Sequence, residues 1–161
     1  MKVFLLALSL FLCSITQAAT YYISPTGNDA TGTGTITNPW KTLFKATSTV
    51  TAAGNIIHIL PGTYTETQTS NLRAGVSLEG EGVATTIILG NMTGQWSNLL
   101  SLDSPQNTNG NQSISGFTIN GQYVSESNFR TWIGIWISGR SNVNVHDMRL
   151  INFYYAGAIY D

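Results

Sequence analysis

The chain has a single cysteine, Cys13, and it sits inside an apolar segment at the amino end. Without a second cysteine there is no internal disulfide, so stability rests on burial and backbone hydrogen bonding. Charge is scarce as well. Asp, Glu, Lys and Arg make up 9% of the 161 residues, against about 25% in ordinary soluble domains. The formal net charge is −1, which gives no basis for nucleic-acid binding or for adhesion to an acidic membrane. No apolar run is long enough to cross ~30 Å of hydrocarbon. Thr, Ser, Asn and Gly fill the polar positions instead. That composition argues against a helical bundle and suits an all-β surface whose backbone is already paired in ladders.

Residues Met1 to Ala18 read as a secretory signal peptide. Lys2 is the positive end, Val3 to Cys13 the apolar run, and Thr16-Gln17-Ala18 places small residues at the two positions a signal peptidase reads. Cleavage is predicted after Ala18, with Ala19 the alternative. A lipid-modified Cys13 is the rival reading, and the bulk of Leu12 before it counts against that. Removing 18 residues from 161 leaves 143 and a side-chain charge of −2. That is enough for one domain, 19–161, with a real core. The expected location is outside the cell or at its surface, with no membrane span in the mature chain.

Tyr21 to Ser24 reads as a first strand, and Pro25 to Pro39 as a loop. Asp29 is the one carboxylate in that loop, too few for a dedicated calcium site, so a solvated turn is expected there. Asn38-Pro39 is expected to open a helix, with Asn as cap and Pro in the first turn. Trp40, Leu43, Phe44 and Val50 would share its apolar face, and it would end by Gly54. One such helix ahead of many strands has the task of covering the open end of a stack.

The chain is organised around Gly75 to Asn91, GVSLEGEGVATTIILGN. Two short strand-forming runs, Val76–Leu78 and Thr85–Leu89, flank a tight Gly80-Glu81-Gly82 corner. Similar units recur. One series of apolar pairs is Ile57/Ile59, Val76/Leu78, Leu100/Leu102, Ile133/Ile135 and Ala156/Ala158, with steps of 19, 24, 33 and 23 residues. A second series is Ile87/Leu89, Ile114/Phe117/Ile119 and Val145/Met148/Leu150. Its last two members match at an offset of 31, whereas Gly134 and Gly157 match at 23, and the difference of 8 places an insertion within Gly121–Arg130. Short strands stacked coil upon coil would give this pattern, with Asn91, Asn120 and Asn152 as candidates for left-handed bends. A β-sandwich would instead favour hairpins at closer spacing.

The segments TYYISPTGNDATGTGTITNPWKTLFKA, NIIHILPGTYTET and LRAGVSLEGEGVATTIILG resemble the opening of the right-handed parallel β-helix superfamily. Pectate lyases and related secreted polysaccharide-active proteins belong to it. The likeness covers Thr20 to about Leu89, and the later repeats generically. It implies an all-β solenoid with a short capping helix, and a leaning towards extracellular polysaccharide as partner. The alternative is a non-catalytic adhesion or structural module. Ala156–Tyr160 begins another coil just before Asp161, so a continuation of the chain or a partner is expected to cover that end.

A lyase on this fold needs calcium or arginine to neutralise a uronate carboxylate and a base for the C5 proton; a hydrolase needs two or three nearby carboxylates. The best charged cluster is Arg140, His146, Asp147 and Arg149. Asp147, Arg149 and His146 are the catalytic candidates, and Arg140 would clamp the sugar. Glu79, Glu81 and Asp103 are candidates for a metal, with calcium the cofactor such oxygens would take. His58, flanked by Ile57 and Ile59, should face outward or lie at a strand edge. Trp132 and Trp136 share strand parity and form a candidate sugar platform. Trp96, Tyr123, Tyr154, Tyr155 and Tyr160 add aromatic surface. Against each stands a plainer reading: local ion pairs for the charges, a glycine corner for Glu79 and Glu81, and core filling for the rings.

Overall fold

The computed structural model describes residues 17–92, 94, 96–127 and 130–161. Apart from Gln17 and Ala18, the predicted leader lies outside the described residues. Among those residues the chain forms one helix, α1 (Leu43–Thr49), and eleven strands. In chain order the strands are β1 (Thr20–Ile23), β2 (Ile56–Ile59), β3 (Gly62–Glu66), β4 (Ser70–Asn71), β5 (Ser77–Gly80), β6 (Thr86–Gly90), β7 (Asn98–Ser115), β8 (Thr118–Asn120), β9 (Ile133–His146), β10 (Arg149–Ile151) and β11 (Ala156–Tyr160). The fold is all-β with parallel sheets and one short helix. One sheet runs β1-β2-β5-β7-β9-β11, with β4 also on β7, and the other runs β3-β6-β8-β10.

The long strands β7 and β9 each turn a corner and serve two ladders. Their late parts continue the first ladder, the row Tyr21, Ile57, Leu78, Ile114, Val145. The second sheet is the second ladder and aligns Tyr64, Ile88, Ile119 and Leu150. The early parts of β7 and β9 form the third ladder, which aligns Ser70, Leu100, Ile135 and Ala158. Parallel register sets like positions above one another, and strand alternation sends every second residue inward. Ile57, Leu78, Ile114, Ile88, Ile119, Leu100 and Ile135 are thus fully buried in one core, with Phe117 the largest side chain among them.

Leu78, Leu100 and Ile133 belong to one parallel sheet, with Val76 just ahead of its strand, but the single apolar series drawn through them merges two ladders. Leu78 lies against Ile114, while Leu100 lies against Ile135. The strand β7 runs on through the corner, with register shifts between Asp103 and Thr108 and between Asn109 and Gln112, so alternation alone does not mark where one ladder ends. The offset of 31 is the register of Ile114 on Val145 and of Ile119 on Leu150, and the offset of 23 is that of Ile133 on Ala156. The extra residues lie between β8 and β9, within the predicted insertion, of which Asn128 and Phe129 are outside the described residues.

The Gly-Glu-Gly corner stacks on the next bends. Gly82 N–H donates to Gly116 O at 2.7 Å, and Gly116 N–H donates to Asp147 O at 3.1 Å. Gly116 has φ +80° and lies so close to the Gly80 carbonyl that a Cβ there would strike it. Of the asparagines expected at left-handed bends, Asn152 has φ 57°; Asn91 and Asn120 do not take that conformation, and Asn111 and Asn142 do, at 42° and 55°.

The helix begins later than expected. Asn38 closes a turn with Thr35, and Trp40 pairs in extended form with Ile23. The cap is Thr42, whose side chain accepts from Lys45 N–H. Asp29 explains the delay: its carboxylate accepts from Lys41 N–H, Thr42 N–H and the Thr42 hydroxyl at 2.7–3.1 Å. That carboxylate is committed to the start of the helix rather than to solvent.

A second carboxylate meets the first turn of α1 from within. Glu66 is 1% exposed and accepts from Leu43 N–H at 2.7 Å and Phe44 N–H at 3.2 Å. Burial pushes its pKa up to about 7, against the pull of those two amides and with the help of the nearby Asp29 charge. An unfolded Glu titrates near 4.5. Between the two values the folded chain holds a proton that the unfolded chain has released. The resulting stabilisation, roughly 3 kcal/mol, is complete below about pH 4.5 and is lost as pH rises to about 7. Urea midpoints measured across that window should fall with rising pH, and Glu66→Gln should remove that part of the slope.

Candidate functional site

The outward positions of the first ladder form a polar row. Tyr22, His58, Glu79, Ser115 and His146 stand in register on five neighbouring strands. The chain's two histidines therefore share one row. Each is paired with a carboxylate. His58 Nε2 lies 3.0 Å from Glu81 Oε1, and the His58 ring lies 5.5 Å from that of Tyr22. His146 Nδ1 lies 2.8 Å from Asp147 Oδ2, while its Nε2 lies 3.0 Å from Ser113 Oγ. Both pairs are at least partly open to solvent, so each contributes little to stability.

The second surface is aromatic. Trp96, Asn98, Ser101, Asp103, Ile133 and Trp136 line a groove of about 310 Å³ on the outside of the third ladder. Trp96 is 64% exposed, and its ring is held by Trp132 at 4.7 Å and Tyr155 at 6.0 Å. Trp136 stands in register with Ser101 on β7 and Ile159 on β11. The belt continues through Tyr154, 4.5 Å from Trp132, to Tyr123, 5.8 Å from Tyr154. Rings braced in this way keep a fixed orientation at little entropic cost, which is what stacking on a planar or apolar ligand face requires.

Several expected groupings are not formed. Trp132 does not join Trp136 in a platform: it precedes β9 and is 8% exposed, packed against Trp96 and Tyr154. Trp96 takes its place, because a left-handed residue at φ 62° projects it from the chain ahead of β7. Glu79, Glu81 and Asp103 are not one metal site. Glu81 is paired with His58, and Asp103 lies on the third ladder opposite Ser138. Among the described residues no group of three or more His, Cys, Asp or Glu side chains is placed to hold a metal ion. Arg149 lies around the corner from His146, opposite Thr118 in the second sheet.

Arg140 leaves the cluster altogether. It is 4% exposed, and its guanidinium donates to Ser104 Oγ, Gln112 Oε1, Leu72 O and Asp103 O at 2.8–3.3 Å. Gln112 in turn donates to Val76 O at 2.8 Å. The fork is spent on the bend between the third and first ladders, where three successive passes of the chain meet, and it is not free to clamp a sugar. Burial lowers its pKa, and Arg73 adds to this while Asp103 opposes it. Ser113, which meets His146 Nε2, is the contact of the polar row that the sequence did not disclose. Its only signal is an offset of 33 from His146, two more than the repeat.

No family model and no curated protein matches the chain. Among solved structures it is similar to a rhamnogalacturonan lyase, with a TM-score of 0.53 and 18% identity over 83% of this chain and 38% of that one. The chain thus spans under half of that enzyme's length, and the likeness is one of fold. Among the described residues no helix is long and apolar enough to cross a membrane.

Arg140→Ala would strand two buried and two part-buried acceptors, and should cost roughly 3 kcal/mol or more in urea unfolding. Arg140→Lys keeps the charge but not the planar fork, and should restore less than half of the loss.

Proposed function

We propose that the chain is a secreted right-handed parallel β-helix that holds an extracellular polysaccharide against the outside of its stack. The groove between Trp96 and Trp136 carries this reading. Two tryptophans offer faces to the C–H side of sugar rings, while Asn98, Ser101 and Asp103 offer hydrogen-bonding partners to hydroxyl groups. A neutral, uncharged sugar suits it best, since the only charge in the groove is a carboxylate. The helical winding is supported by the ladders: each pass of the chain visits the first, second and third in turn, always in parallel. A right-handed course follows from the strong handedness of parallel crossovers. Export follows from the leader ending at Ala18. The similar solved structure is a polysaccharide lyase by name, which favours the same substrate class.

Elimination by Asp147, His146 and Arg149 is the second reading, favoured by the pairing of His146 with Asp147 on an exposed row. It needs a cation for a uronate carboxylate. With Arg140 buried, Arg149 or added calcium would have to supply it, and Glu79, Glu81 and Asp103 are too scattered to hold that calcium together. An adhesion module without catalysis would keep the groove and lose nothing else.

Titration of the chain with neutral and acidic plant polysaccharides, followed by tryptophan fluorescence and calorimetry, tests the groove. Trp136→Ala and Trp96→Ala should each weaken binding by about tenfold, ~1.4 kcal/mol. Affinity in both variants equal to that of the unaltered chain would remove the groove from the reading. The same mixtures, with and without calcium, should be followed for the absorbance of unsaturated products; their formation, lost in His146→Gln, would establish the second reading.

A further inference from the structure

We propose that Ser113, His146 and Asp147 form a serine-nucleophile relay that hydrolyses carboxylic esters of short acyl groups on the outer face of the first ladder. The three side chains come from two neighbouring strands and the bend after them. Ser113 lies on β7, His146 ends β9, and Asp147 occupies the corner. Ser113 Oγ is 3.0 Å from His146 Nε2, and His146 Nδ1 is 2.8 Å from Asp147 Oδ2. The atoms are joined in the order that the chemistry needs. An ionised carboxylate only accepts, so Nδ1 carries the proton towards Asp147. In the neutral ring Nε2 then has a free lone pair, and the Ser113 hydroxyl donates to it. That is the tautomer in which imidazole can remove a proton from the serine, and the relay is recognised by this geometry whatever fold carries it.

Donors for a developing oxyanion stand on both sides of the serine. Asn144 is in register with Ser113 on β9, so its carboxamide projects from the same face one strand away. On the other side Ser77 Oγ accepts from Ser113 N–H at 3.0 Å, which leaves its own hydroxyl hydrogen free to donate outward. The alternating neighbours, Ile114 and Val145, point inward and fix the row to the core. The site rests on a rigid ladder and not on a loop, which favours constant geometry.

The reaction balances with water alone. Ser113 Oγ attacks the ester carbonyl as His146 Nε2 takes its proton. The C–O bond to the alcohol breaks, and His146 returns that proton to the departing oxygen, leaving acyl-Ser113. Water then attacks the acyl carbon, giving its proton to Nε2, and the serine oxygen leaves with the proton as the free acid is released. Asp147 holds the ring orientation and the positive charge formed in each half. His146 and Asp147 have 45% and 82% of their side chains exposed. Small acyl groups on a large, flat alcohol can therefore reach the serine without a pocket. The relay lies on a different ladder from the tryptophan groove, and does not depend on the sugar reading.

The test uses the secreted chain with 4-nitrophenyl acetate as substrate and a fluorophosphonate as covalent probe. Saturable hydrolysis is expected, together with one phosphonyl group on Ser113 located by peptide mass spectrometry. Ser113→Ala and His146→Gln should each lower the rate by about a hundredfold or more, and Asn144→Ala by about tenfold. Circular dichroism of each variant should match that of the unaltered chain. Labelling at another residue, or undiminished turnover in a folded Ser113→Ala, would overturn the proposal. Loss in His146→Gln with full turnover in Ser113→Ala would overturn it too, because the imidazole itself would then be the nucleophile.

Discussion

Within the ladders, the backbone of one pass of this chain is paired with that of the next, in parallel and in register. That requirement decides most of the rest. Unpaired backbone groups are costly where water is excluded, so the strands hold register even when intervening segments differ in length. The insertion between β8 and β9 is looped out, and Ile133 still lies on Ala156. Because register is kept, side chains at one position form columns. Apolar columns such as Leu78, Ile114 and Val145 make the interior, and the alternate positions make continuous outer rows. The meeting of Ser113 with His146, and of His58 with Glu81, follows from columns that backbone pairing has already aligned.

Where the ladders bend, the backbone loses that automatic satisfaction, and buried polar side chains take over. Arg140 and Gln112 gather Leu72 O, Val76 O and Asp103 O at one bend. Glu66 gathers the first amides of α1 at another place. Both are ionisable groups held almost out of water, a costly arrangement unless each hydrogen-bonding position is filled. Their presence in a chain with so few charges shows where charge is needed: at junctions that ladder hydrogen bonds do not reach.

Much of this was legible because columns leave a trace in sequence. Offsets of 31 and 23 are visible in SISGFTI against NVHDMRLI and in the two glycines, and both are true registers. Strand parity also placed His58 outward. The bends were harder. β7 passes its corner without ending, so Leu78 and Leu100 read as members of one series when they belong to two. Arg140 looked like an exposed clamp since its neighbours in sequence are polar, and only the path of three passes buries it. Asn38-Pro39 carries a good helix signal locally, but the Asp29 carboxylate and the insertion of Trp40 beside Ile23 shift the start to Thr42. Tertiary partners outweigh local propensity at such places. Ser113 was hidden for the opposite reason: serine is abundant, and nothing marks one of them until a histidine is set diagonally across from it.

The bend at Asp147 belongs both to the ladder pairing and to the outer polar row. The same position one pass earlier is Gly116, where a left-handed backbone is free of strain and a side chain would collide with Gly80. At Asp147 the backbone is still left-handed, φ 50°, yet a carboxylate is present. For a residue with a Cβ that conformation costs on the order of 1 kcal/mol relative to glycine, with Asp and Asn among the residues that tolerate it best. Ladder pairing holds the position in place through the bond from Gly116 N–H to Asp147 O, so the strain is imposed by the fold and not chosen locally. Glycine would satisfy that bond equally well. What glycine lacks is the carboxylate that meets His146 Nδ1, and an interaction this exposed contributes little to stability. The strain is therefore better matched to orienting an imidazole than to holding the chain together.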